Sequence, residues 1–155
     1  MQQHLWLVFV VGAALSWGAY GPALHHGQSA FPERATASLR SLFCVGVSYF
    51  LVGVLVPLAA LGAQGKLAGF SSGGVLFSTA AGALGALGAV CIIWAFKNGG
   101  TPLAVMPLVF AGAPVINAAI SMAQHPTPVR NLHPLLFVGF GCAALGGWLV
   151  LHYKP

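Results

Sequence analysis

The chain has 155 residues, 58% of them hydrophobic and 5% charged, with a formal net charge of +5. Six basic side chains and one acidic one cannot cover a water-facing surface, where about a quarter of residues are ordinarily charged, so a soluble globule is excluded and an integral membrane protein is expected. The single carboxylate side chain, Glu33, also excludes paired-carboxylate acid/base chemistry and a carboxylate-rich metal cage within one subunit.

The basic residues Arg34, Arg40, Lys66, Lys97, Arg130 and Lys154 stand singly between apolar runs. That is the pattern of cations flanking membrane spans, and no nucleic-acid partner is expected. Cys44, Cys91 and Cys142 each lie inside an apolar stretch and read as small packing residues rather than a disulfide framework. The first apolar run follows Met1-Gln2-Gln3-His4 with no Lys or Arg, so a cleavable signal peptide is not expected.

Crossing the hydrocarbon core takes roughly 20 apolar residues in a helix or a closed barrel, and uninterrupted apolar runs without period-two alternation argue for helices. Five runs qualify. The first covers about 5–24 and stops in the polar stretch His25-His26-Gly27-Gln28-Ser29. The second covers about 37–61, with Pro57 near its end, and gives way to Gln64-Gly65-Lys66. The third covers about 73–96 and ends at Lys97-Asn98-Gly99-Gly100, a last-turn cation followed by a glycine pair. The fourth opens at Thr101-Pro102, an N-cap residue before a first-position proline, and covers about 102–123. The fifth covers about 134–153, after the breaker-rich segment His125-Pro126-Thr127-Pro128. The expected fold class is therefore all-α, an integral membrane bundle of five transmembrane helices forming one domain over residues 1–155.

Five spans place the chain ends on opposite faces. The N-terminus then shares a face with Lys66 and Arg130, and Arg34, Arg40, Lys97 and Lys154 share the other, which favours N-out and C-in. The same alternation separates His25 and His26 from His125 and His133, so these four cannot surround one ion in a subunit. His4, His125 and His133, or His25, His26 and His152, share faces but lack the spacing of a metal site, and no metal or cofactor is expected.

Small residues recur with helical spacing. Gly74, Ser78, Gly82 and Ala86 are four apart in the third span, with Gly85 and Gly88 widening the strip, and Gly139, Ala143 and Gly147 repeat the pattern in the fifth. Such faces let another backbone approach closely and are read as helix-packing surfaces. The fourth span carries Pro107 and Pro114 on nearly one face, each expected to free a carbonyl and kink the helix, followed by Asn117 and Ser121. Asn117 fits either an interhelical hydrogen bond or a cavity-facing contact; Trp17, Tyr20 and Trp94 fit either an interfacial aromatic belt or cavity walls. Trp17, Tyr20, Trp94, Asn117 and Ser121 are the candidate substrate-pathway residues.

Ser16-Trp17-Gly18 in the first span, Arg40 opening the second, Gly85-Ala86-Leu87-Gly88 through Trp94-Ala95-Phe96-Lys97, the turn to Thr101-Pro102-Leu103-Ala104, and Pro114 occur in an order that resembles an EamA-type repeat of the drug/metabolite transporter superfamily. The resemblance covers nearly the whole chain, through short apolar motifs. It implies a five-helix unit, two of which, mutually inverted, enclose a transport pathway. There are departures. The Gly-Glu pair that often ends the fourth helix is replaced here by Ala123-Gln124-His125, and the first-helix glutamate of the small multidrug members has no counterpart between Leu5 and Leu24. Proton exchange on an intramembrane carboxylate is therefore not expected.

The resulting expectation is a half-transporter, not an enzyme, in a bacterial cytoplasmic membrane. It would pair within the lipid bilayer with a second copy or a paralogous five-helix subunit to carry a small neutral or polar metabolite. The alternative is a non-transporting membrane subunit that packs against a larger complex.

Overall fold

The computed structural model describes residues 5–124 and 133–153, and every regular element among them is helical. His4, His125, Arg130 and Lys154, and the breaker-rich segment that begins at His125, lie outside the described residues. Five helices are long and apolar enough to cross a membrane: α1 Leu5–Ala30, α2 Ala37–Ala63, α3 Ser72–Lys97, α4 Pro102–Gln124 and α5 Pro134–Tyr153. The shortest, α5, has 20 residues, which at 1.5 Å per residue matches a hydrocarbon core of about 30 Å.

The boundaries follow local chemistry. Ser71 caps α3, its Oγ accepting from the Gly74 N–H at 3.1 Å. At the other end the Asn98 side chain donates to the Trp94 carbonyl at 2.8 Å, and the Gly99 N–H donates to the Phe96 carbonyl at 3.2 Å. Gly99 has φ +90°, where a side chain is strained. Gly99→Ala is accordingly expected to cost about 1–2 kcal/mol. Gly62→Ala, at a helical φ with open space around the new methyl, should be neutral or slightly stabilising. Thermal melts in one detergent compare the two, and equal effects would remove the conformational argument.

Two features depart from the sequence expectation. The first helix does not stop at Leu24. It continues through His25–Ser29 to Ala30, with Pro22 inside it, because this polar stretch finds partners: the Ser29 hydroxyl donates to the His26 carbonyl at 2.9 Å and Gln28 is held by two acceptors. In α2, residues Leu51–Leu55 form a π-helical turn just ahead of Pro57. Proline lacks an N–H and its ring crowds the carbonyl four residues back, here Gly53; a widened turn relieves both. By contrast α4 runs unbroken across Pro107 and Pro114.

The chain divides into two compact units. In the first, which joins α1 up to Gly21 with α4 and α5, α4 packs along α5, Gly147 lies against Ala111, and Trp17 stacks on Phe110 with centroids 6.3 Å apart. The second runs from Pro22 to Gly99. Its interior is built at one end, where the last turns of α1 and α3 meet the first turns of α2. Leu24 and Gln28, Ala37, Ser38 and Ser41, and Ala89, Ile93 and Phe96 are buried there at helical spacings. Beyond Val45, α2 is exposed apart from the half-buried Leu61, and so is the first half of α3.

Candidate functional site

That end of the second unit holds a polar pocket of about 160 Å³. Its lining comes from His25, Gln28 and Ser29 of α1, Arg34 of the connection, Ala37 and Ser38 of α2, and Phe96 and Lys97 of α3. The chain brings these together because α1 delivers its C-terminus, and α2 its N-terminus, beside the C-terminus of α3. The His25 ring meets the Phe96 ring edge-on, with centroids 5.2 Å apart, which fastens the end of α1 to the end of α3.

Gln28 organises the interior wall. Its Nε2 donates to Ser38 Oγ at 2.9 Å and to the Ile93 carbonyl at 3.3 Å, so one amide joins all three helices and uses both of its hydrogens. A backbone carbonyl only accepts, and this fixes which amide atom faces Ile93. Gln28 is 8% exposed, and its Oε1 is buried without a hydrogen-bond partner among the described residues. Ser41 Oγ, about one turn beyond Ser38, is likewise buried and unpartnered.

The charges at the rim are sorted by one ion pair. Glu33 Oε2 accepts from Arg40 Nη2 at 2.6 Å and from Thr36 Oγ1 at 2.9 Å, both pairs partly exposed. Sequence adjacency would put Arg34 beside Glu33, yet Arg40, seven residues away, takes the carboxylate. Arg34 and Lys97 therefore face the pocket with no acidic side chain in its lining. Lys97 Nζ also lies 5.9 Å from the Trp94 ring centroid. The Thr36 hydroxyl donates to Glu33, and among the described residues α2 has no side-chain cap hydrogen bond.

The expected pathway residues occupy other places. Trp17, Tyr20, Asn117 and Ser121 belong to the first unit and Trp94 to the second. Trp17, Asn117 and Ser121 are exposed, Tyr20 and Trp94 are half-buried, and none of the five lines the pocket. Of the packing residues, Gly147 touches Ala111 Cβ, 3.1 Å from where its own Cβ would stand. Gly82, Gly85 and Gly88 have open space beside them within their unit, as does Gly139, and Gly74 faces the capping Ser71. Ser78 is exposed.

Of the pocket residues, His25 is weighed in the sequence only as a metal ligand and Arg34 only as a span-flanking cation, and Gln28, Ser29 and Ser38 are not singled out there. The available signal was the four-residue spacing of Leu24 and Gln28, which puts both on one face of a helix that continues past Leu24. Comparison of the chain with protein-family models, curated proteins and solved structures finds no match.

Proposed function

We propose that this protein is a membrane-embedded five-helix subunit that associates with a second such subunit, the same chain or a paralogue, to carry a small polar metabolite. The observation that supports this reading is the lack of cover on the spans. In each, no more than 11% of the most apolar 18-residue window is buried within the chain, and the α3 strip of Gly82, Gly85 and Gly88 meets no neighbour in its unit. Apolar helices of this length are satisfied by lipid, and a strip of glycines by another backbone. The order of motifs that resembles an EamA-type repeat supplies the transport part of the proposal, and the bacterial cytoplasmic membrane is the proposed location.

Purified protein reconstituted into liposomes tests both parts. Gly82→Leu and Gly85→Leu should lower the oligomer mass in detergent, because a leucine holds the facing backbone away. Asn117→Leu should keep the assembly and reduce uptake of small polar solutes from a mixed panel. A stable oligomer with no uptake of any solute would favour the non-transporting subunit, and a monomer unaffected by the glycine variants would remove the pairing proposal.

A further inference from the structure

We infer that the two units turn relative to one another on a pair of hinges, Gly21-Pro22 within α1 and Gly99-Gly100 between α3 and α4. The inference does not depend on transport and holds equally for a subunit that carries nothing.

The chain passes from one unit to the other at these two places. Among the described residues, the close pairings between spans stay inside the units, α4 with α5 in the first and α2 with α3 in the second. Each unit can therefore keep its packing while the connections change, which is the condition for hinge motion.

Both crossings are anchored on either side and bare in between. In α1, Trp17 stacks on Phe110 and Gly21 is buried against Met106, so this part of the helix is held by the first unit. Leu24 is already buried in the second unit, and His25 and Gln28 fix the following turn to Phe96, Ser38 and the Ile93 carbonyl. Between these anchors stand Pro22 and Ala23, both exposed. At the other crossing Phe96 is buried in the second unit and Ala104 in the first. The link contains Gly99, at φ +90°, followed by Gly100, two successive residues with no side chain to restrict the backbone.

Proline weakens the helix where the units divide. Pro22 has no N–H to give the Gly18 carbonyl and its ring crowds that oxygen, so α1 lacks one rung of its ladder at the crossing. Sharp bends in helices gather at such points. Proline by itself is not enough: α4 carries Pro107 and Pro114, yet it belongs wholly to the first unit, where α5 packs against it. What distinguishes Pro22 is that the two sides of its helix are held by different units.

The native cysteines provide the test. Cys91→Ser leaves one exposed thiol in each unit, Cys142 in the first and Cys44 in the second. A comparison pair inside the second unit joins Cys44 to Leu76→Cys, with Cys91 and Cys142 both replaced by serine; Leu76 is also exposed. Both pairs are spin-labelled in the full chain, diluted into an excess of cysteine-free protein so that distances within one chain are read, and measured by double electron–electron resonance in nanodiscs. The distance distribution between units should be about twofold or more wider than that of the comparison pair, or two-peaked. Pro22→Ala, which restores the N–H and removes an exposed side chain, should narrow it to the width of the comparison pair, whereas Pro114→Ala should leave it wide. A distribution between units as narrow as the one inside the second unit would overturn the hinge, and the parent alone decides this even if a variant folds poorly. A wide distribution unchanged by Pro22→Ala, or narrowed equally by Pro114→Ala, would overturn the assignment to Gly21-Pro22.

Discussion

Gly21→Ala is expected to destabilise the protein by roughly 1–3 kcal/mol, a large effect for one methyl group. A Cβ at Gly21 would overlap Met106 Cγ and stand 2.7 Å from its Sδ. Met106 is itself buried, so the side chain has little room to swing aside. The conflict is with Cγ, next to the Met106 backbone, and turning only the thioether end does not relieve it; χ1 must change, and a helix restricts that choice. Met106→Ala alone should cost about 2–3 kcal/mol by leaving a cavity. With the obstruction gone, the added methyl of Gly21→Ala becomes cavity filling, so the double variant should be more stable than the sum of the singles by about 1 kcal/mol or more. Thermal or denaturant melts of the four proteins in one detergent measure this coupling. Strict additivity would mean that α1 and α4 do not meet at Gly21.

The helix ends written in local chemistry were legible: Asn98-Gly99 closes α3, Thr101-Pro102 opens α4, and Pro134 opens α5, each where its residues predict. The end of α1 was not. His25-His26-Gly27-Gln28-Ser29 has the composition of a loop, and what keeps it helical is distant in sequence, the Ser38 hydroxyl and the Ile93 carbonyl. The pocket was missed for the same reason. Its cations could be named, but which of them pairs with Glu33 depends on Arg40 reaching back across the first turn of α2. Pro57 was visible, yet the π-helical turn that accommodates it is one of several ways a helix can absorb a proline. The small-residue strip of α3 could be read as a packing face, but a strip does not name its partner, and within its own unit Gly82, Gly85 and Gly88 face open space.

Ile93→Ala should be the most damaging single truncation in the second unit, at roughly 2–4 kcal/mol. Ile93 has 0% exposure and is the largest side chain among the described residues to be fully enclosed. In lipid or detergent the transfer part of that cost shrinks, because apolar surroundings replace water, but the dispersion attraction forfeited around an unfilled cavity is still missing. The substitution leaves the backbone carbonyl that holds Gln28, so the hydrogen-bonded junction of α1, α2 and α3 persists while its apolar backing is removed. Gln28→Ala does the converse, removing the amide and its two hydrogen bonds while Ile93 stays packed, and it should cost less, about 1–2 kcal/mol. Melting curves of both variants in one detergent compare the two roles. Ile93→Ala should melt lower than Gln28→Ala. If Ile93→Ala instead left stability unchanged, the core of this unit would have to be sought elsewhere.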